Sequence, residues 1–191
     1  CQSPSEPVLA QALARQSQLT KPTGSLSELE SVAVTLASLQ NTVKPKIDRP
    51  WITIFAGDHG VMEENISAYP QVVTRQMLQN FATGGACISV IAKEYQAKLQ
   101  VIDCGSVGEA YEYVGVERHC IRAGTANFAQ TPAMTEAECE AAFALGQKSV
   151  EDAIAYGADI YVAGEMGIGN TCSASAVACF LLAEPAKKLT G

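Results

Sequence analysis

Glu165 is the one charged side chain in Gly164-Glu-Met-Gly-Ile-Gly-Asn-Thr171, where glycines at 164, 167 and 169 lead into an Asn-Thr pair. Glycines let a backbone turn sharply and approach a ligand with no Cβ in the way. Small residues follow (Ser173, Ala174, Ala176), and Asn170 or Thr171 is the expected cap of a helix. A helix start presents unpaired N–H groups and a positive dipole end, which suits a phosphate or another anion. The spacing is G-x-x-G-x-G, neither a dinucleotide fingerprint nor a P-loop, and Lys is absent from it. A carboxylate inside a phosphate cradle is electrostatically awkward. Glu165 therefore faces a ribose hydroxyl or a reacting base, or it is a solvated loop residue.

A second constellation is Phe55-Ala-Gly-Asp-His-Gly-Val61, followed by Ser67-Ala-Tyr-Pro-Gln71. Asp58 and His59 are adjacent, whereas a two-metal phosphoesterase needs them spaced and joined by further Asp, Asn and His sets. The chain has two histidines, and the other is His119. Two readings of the pair stay open. Either they contact substrate directly, or Asp58 accepts backbone N–H bonds in the turn while His59 packs beneath it.

These residues need a scaffold, and the apolar runs describe one. Trp51-Ile-Thr-Ile-Phe55 reads as a buried strand, Leu99–Ile102 as a second and Asp159–Ala163 as a third. Helical patterns fill 70–80 and 85–95, and a long helix spans Thr135–Tyr156, with Thr135-x-x-Glu138 as a capping box. Strands alternating with helices predict an α/β fold: a wound parallel sheet with helices on both faces, Rossmann-like. Each strand ends in a Gly-bearing loop, so the loops gather on the edge where such sheets bind ligands. The first part is helix-compatible. Leu26, Leu29, Ala33 and Leu36 mark one face of a helix that Ser25 or Ser27 caps. Residues 1–45 are expected to be a helical segment of a small subdomain, and 46–191 a partial α/β nucleotide-binding domain, truncated on its C-terminal side.

Composition narrows the partners. The 191 residues carry a net charge of −7, which argues against nucleic acid and anionic membranes. The longest nearly apolar stretch, 174–183, is too short to span a bilayer. Seven scattered cysteines without C-x-x-C spacing read as reduced thiols in a cytoplasmic protein. His119-Cys120 is the one adjacent Cys/His pair, too little for a zinc site, and no cofactor is expected. Cys1 in first position and the absence of an initiator Met suggest a trimmed or incomplete chain.

Read in order, Leu19-Thr-Lys-Pro-Thr-Gly-Ser-Leu26, Ala56-Gly-Asp-His-Gly-Val61, Ser67-Ala-Tyr-Pro-Gln71, Val73-Thr74, Gly84-Gly85-Ala86, Val101-Ile-Asp103 and Gly164–Thr171 resemble one family. It is the nicotinate-nucleotide:dimethylbenzimidazole phosphoribosyltransferase family, and the likeness is to its N-terminal part, from about Leu13 onward. The resemblance implies a pentosyltransferase working as a homodimer in assembly of the cobalamin lower ligand. Its substrates would be nicotinate mononucleotide and 5,6-dimethylbenzimidazole, its products nicotinate and α-ribazole 5′-phosphate. Carried over by position, Glu165, Gly167, Ile168, Gly169, Asn170 and Thr171 line the nucleotide site, and Tyr69, Gln76 and Met77 flank the acceptor base. The family's general base is a Glu beyond Gly191, so the resemblance implies an inactive fragment; Glu165 is a weak substitute. Two alternatives remain: the same fold with adenine or a phenol as acceptor, and a non-catalytic nucleotide-binding or dimerising module.

Overall fold

The computed structural model describes residues 3–190, which places Cys1, Gln2 and Gly191 outside the described residues. The chain divides into two compact units, 1–48 and 49–191.

The first unit is a helical pair, α1 (Glu6–Gln18) and α2 (Glu28–Leu39). Ala12, Val34 and Ala37 form its buried centre, with Val8 and Leu9 packed against them. The inward face of α2 is not the expected one. Leu26 and Leu29 are exposed, and the buried positions are Val34, Ala37 and Ser38. Leucine spacing alone mis-set the phase, because the buried face of α2 is built from smaller residues. Ser27 occupies the N-cap position, but its side chain makes no capping bond.

The second unit is a parallel sheet. Strands β1 (Pro50–Gly57), β2 (Lys98–Gly105), β3 (Glu117–Arg118) and β4 (Ile160–Met166) lie in the order β3-β2-β1-β4. All three pairings are parallel. Alternation along β1 sends Ile52, Ile54 and Ala56 to one face and Trp51, Thr53 and Phe55 to the other. The first face is the apolar core, with Val101 of β2, Leu78 and Phe81 of helix α3 (Val72–Thr83) and Ala92 of α4 (Cys87–Glu94). The second face meets helix α5 (Glu136–Tyr156), whose Ser149 hydroxyl is hydrogen-bonded to Thr53 and to Gln100 of β2. Helices thus cover both faces, and the α/β architecture stands as expected.

Helix α5 begins at the anticipated capping box, with Thr135 Oγ1 accepting from Glu138 N–H and the Glu138 carboxylate accepting from Thr135 N–H. Helices α6 (Asn170–Leu182) and α7 (Ala186–Leu189) complete the unit. Among the described residues no helix is long and apolar enough to cross a membrane.

One strand end departs from expectation. β4 runs on through Gly164 and Glu165 to Met166 instead of stopping at Ala163. Gly164 is not a turn residue here. A Cβ on it would lie 2.5 Å from Ile54 Cδ1, so the glycine makes room for a core side chain of β1. The expected caps of α6 are also displaced. Gly169 is the N-cap, with φ +90°, and Asn170 Oδ1 instead accepts from Thr171 N–H.

Candidate functional site

The chain leaves β1 for β2 on one side and later returns to place β4 on the other. The carboxyl ends of β1 and β4 therefore flank the point where strand order reverses, the position at which open α/β sheets bind ligands. Phe55 pairs with Glu165 and Ala56 with Met166 across this junction. The loop after β1 carries Asp58 and His59, and the loop after β4 carries Gly167 to Gly169.

Glu165 and His59 meet there. His59 Nε2 stands 3.7 Å from Glu165 Oε1, and the second carboxylate oxygen accepts from Asn170 Nδ2. On its other side the imidazole Nδ1 is 2.9 Å from Ser173 Oγ, in the first turn of α6. The ring lies so close over Gly167 that a Cβ there would sit 2.7 Å from Nε2 and 2.2 Å from the Gly57 carbonyl oxygen. Gln71 fixes the backbone by donating from Nε2 to the His59 carbonyl oxygen at 3.1 Å.

Asp58 faces inward. It is 2% exposed. Its Oδ2 accepts from Val107 N–H at 2.8 Å, so the carboxyl ties the β1 loop to the β2 loop. Its Oδ1 is enclosed and has no partner of good hydrogen-bond geometry among the described residues. The nearby Thr74 hydroxyl, which accepts from Ile168 N–H, keeps its own proton free to point at the carboxyl. Burial raises the Asp58 carboxyl above its ordinary range, against the opposing pull of Val107 N–H and Thr74. Asp58 thus accepts a backbone N–H, as one of the two readings of the pair held. The donor is in the neighbouring loop, however, and not in its own turn.

The expected site residues fall into three places. Asp58, His59 and Glu165 border a cavity of about 190 Å³ with Arg122, Thr125 and Met134. Cys104 lines the same cavity, and burial pushes its thiol up to about 11, which keeps it protonated and unreactive at neutral pH. Ile168, Gly169, Asn170 and Thr171 line a neighbouring open hollow together with Ile66, Ser67 and Tyr69. Gly167 lies against His59 and the β1 carbonyl. Gln76 and Met77 border a third hollow on α3, with Asn80 and Thr83, and neither joins the one that Tyr69 lines. Residue patterning missed Ser173, Thr74 and Val107. A hydroxyl in the first turn after a Gly loop was the available signal for Ser173, and Thr74 stands in one of the segments that carry the family resemblance; nothing local marks Val107.

Among the described residues no cluster of three or more His, Cys, Asp or Glu side chains is arranged to hold a metal ion. Cys87, Cys104, Cys120, Cys139, Cys172 and Cys179 are free thiols.

A wound parallel sheet with a Gly loop and a helix start at its switch point defines an α/β domain of the doubly wound class. A family model described as phosphoribosyltransferase matches residues 1–191, and the chain belongs to that family. It is 58% identical over 181 residues to the nicotinate-nucleotide–dimethylbenzimidazole phosphoribosyltransferase of Pseudomonas fluorescens (strain SBW25), covering 95% of this chain and 52% of that protein. The enzyme of the same name from Pseudomonas aeruginosa (strain PAO1) is 49% identical over 191 residues, which is all of this chain and 54% of the relative. The solved structure of CobT from Thermus thermophilus superposes with a TM-score of 0.89 at 47% identity, over 97% of this chain and 56% of that one. The chain thus spans about half the length of the relatives it matches.

Proposed function

We propose that the protein carrying this chain transfers the phosphoribosyl group of nicotinate mononucleotide to 5,6-dimethylbenzimidazole. The products are nicotinate and α-ribazole 5′-phosphate. The observation that carries the reading is the meeting of His59, Glu165 and the start of α6 where β1 and β4 end side by side. The relatives' shared name supplies the reaction, and the geometry supports the nucleotide side of it.

In this reading the nucleotide phosphate lies at the Gly167–Thr171 loop, where the α6 dipole favours an anion. Glu165, beside that loop, accepts a hydrogen bond from a ribose hydroxyl. Tyr69, 65% exposed in the adjoining hollow, offers its ring to the flat acceptor. Gln76 and Met77, carried over as flanking the acceptor base, border a separate hollow on α3.

A benzimidazole nitrogen forms the new bond to the ribose C1′ while the C1′–pyridinium bond breaks. The bonding pair leaves with nicotinate, which is neutralised at its ring nitrogen and departs readily. The other ring N–H proton passes to a general base. Holding the two partners in line supplies up to ~7–11 kcal/mol of the barrier reduction, and the proton transfer roughly 10²–10⁴-fold. We extend the proposal to a homodimer in the cytoplasm.

The test incubates the natural-length protein with nicotinate mononucleotide and dimethylbenzimidazole and separates the products by chromatography. Nicotinate and α-ribazole 5′-phosphate are expected in equal amounts. Product with adenine or a phenol but none with dimethylbenzimidazole would move the reading to another acceptor. No product with any of them would leave a binding module.

A further inference from the structure

We infer that His59 is a positioning residue for the Glu165 carboxylate, with its ring held in one tautomer by that carboxylate and the Ser173 hydroxyl acting together. The inference rests on the nucleotide-site reading above for its functional meaning, but its structural content stands apart from it.

In a neutral imidazole one nitrogen donates and the other accepts. Ser173 Oγ lies 2.9 Å from Nδ1, and either atom of that pair is able to donate. The far side of the ring decides which does. A proton on Nδ1 would leave the Nε2 lone pair facing the Glu165 carboxylate at 3.7 Å, two electron-rich groups opposed. A proton on Nε2 instead turns an N–H toward that carboxylate and lets Ser173 donate to Nδ1. The second arrangement gives a hydrogen bond on the Ser173 side and turns the repulsion on the Glu165 side into an attraction across 3.7 Å.

The ring has little freedom to do otherwise. It lies over Gly167 at a distance that excludes even a methyl group, and its backbone carbonyl is held by Gln71. Glu165 is then aimed from two sides. His59 Nε2 faces one oxygen, and Asn170 Nδ2 donates to the other. A half-exposed Glu on a strand end has several rotamers open to it, and ordering one of them before the ligand arrives reduces the entropy lost on binding. The Gly57–Gly167 approach, the Ser173 hydroxyl and the His59 ring thus serve one carboxylate.

The experiment uses the natural-length protein labelled with ¹⁵N-histidine, the His59 signals being identified by their loss in His59→Gln. Long-range ¹H–¹⁵N correlation at pH 8.5 is expected to show the Nε2–H tautomer in the parent. Ser173→Ala should mix the tautomers and Ser173→Thr should keep the parent pattern. Calorimetry with nicotinate mononucleotide gives the second readout. His59→Phe, which keeps a ring without a donor, should bind about tenfold more weakly or worse. His59→Gln, whose amide can donate from the Nε2 position, should recover most of the loss. An Nδ1–H tautomer in the parent, a Ser173→Ala ring unchanged from it, or undiminished binding by His59→Phe would each overturn the inference. Absence of binding by the parent itself would overturn the nucleotide-site reading alone, since the tautomer measurement judges the positioning without a ligand. Far-UV circular dichroism of each variant separates lost folding from lost contact, and Ser173→Val, which has the shape of Thr without its hydroxyl, carries the test if Ser173→Ala does not fold.

Discussion

Thr53 Oγ1 and Ser149 Oγ stand 2.8 Å apart in the interior, joining the central strand to α5. The same Thr53 oxygen accepts from Trp51 Nε1 at 2.9 Å and lies 3.0 Å from Gln100 Oε1. Ser149 reaches on to the Tyr161 hydroxyl at 2.9 Å. Three strands and a helix therefore share one buried polar knot. Thr53→Val keeps the volume but strips Trp51 of its acceptor, and we expect a loss of about 1–3 kcal/mol from the unsatisfied indole N–H. The denaturant midpoint measures it. Thr53→Ser, which retains the hydroxyl, should lose distinctly less; equal losses would argue for packing and not the knot.

Asp58 should give the unit a pH-dependent stability. Its carboxyl is raised in the folded state by burial, so folding favours the protonated form. That contribution is fully present below the unfolded carboxylate range and fades as pH rises through the higher folded value. Asp58→Asn retains an oxygen for Val107 N–H and cannot ionise. Its melting temperature relative to the parent should therefore climb as pH goes from 4 to 7. A difference that is flat or falls over that window would contradict the assignment.

Gly169 is expected to matter for folding as well as for the ligand. It caps α6 at φ +90°, and a Cβ would approach Met62 Sδ to 3.1 Å. A left-handed conformation costs an L-residue roughly 1–2 kcal/mol, so Gly169→Ala should lower stability by about that amount. Gly169→Val should do worse, since branching adds steric conflict. Thermal melts come first here. Only a variant shown to be folded can report on nicotinate mononucleotide binding by calorimetry, and there we expect weaker affinity.

The capping box of α5 supports one wall of the cavity beside Glu165, because Ala133 and Met134 immediately precede Thr135. Thr135→Ala should cost about 1 kcal/mol in global stability. Thr135→Ser should restore most of it. Hydrogen exchange at the Glu138 amide, which Thr135 accepts from, is the direct readout, and it should quicken in the Ala variant alone.

Much of this arrangement is written locally. The β-branched run at Trp51–Phe55, the Leu99–Ile102 run and the Thr135–Glu138 box each determine an element, and the structure has them in place. What escaped reading depends on neighbours distant in sequence. Gly164 reads as a strand breaker until Ile54 is laid beside it. β3 is two charged residues, Glu117 and Arg118, with no apolar alternation to betray it; its partner Ile102–Asp103 makes it a strand. In the site the residue types were legible, but their grouping was not. Glu165 and Ile168 are three positions apart yet open onto different hollows, because Gly167 turns the chain against His59 between them.

The Phe55–Glu165 pairing has a kinetic corollary. β2, β3 and helices α3 to α5 all lie between β1 and β4 in sequence. Parallel pairing over such a span carries a large loop-closure cost before any contact rewards it, and non-local topologies of this kind fold slowly. His59 and Glu165 sit on the two sides of that closure. The binding edge therefore does not exist in a partly folded chain that has assembled only β1 and β2. Appearance of ligand affinity during refolding should lag the formation of helix, and a ligand added early should bind only what has already closed.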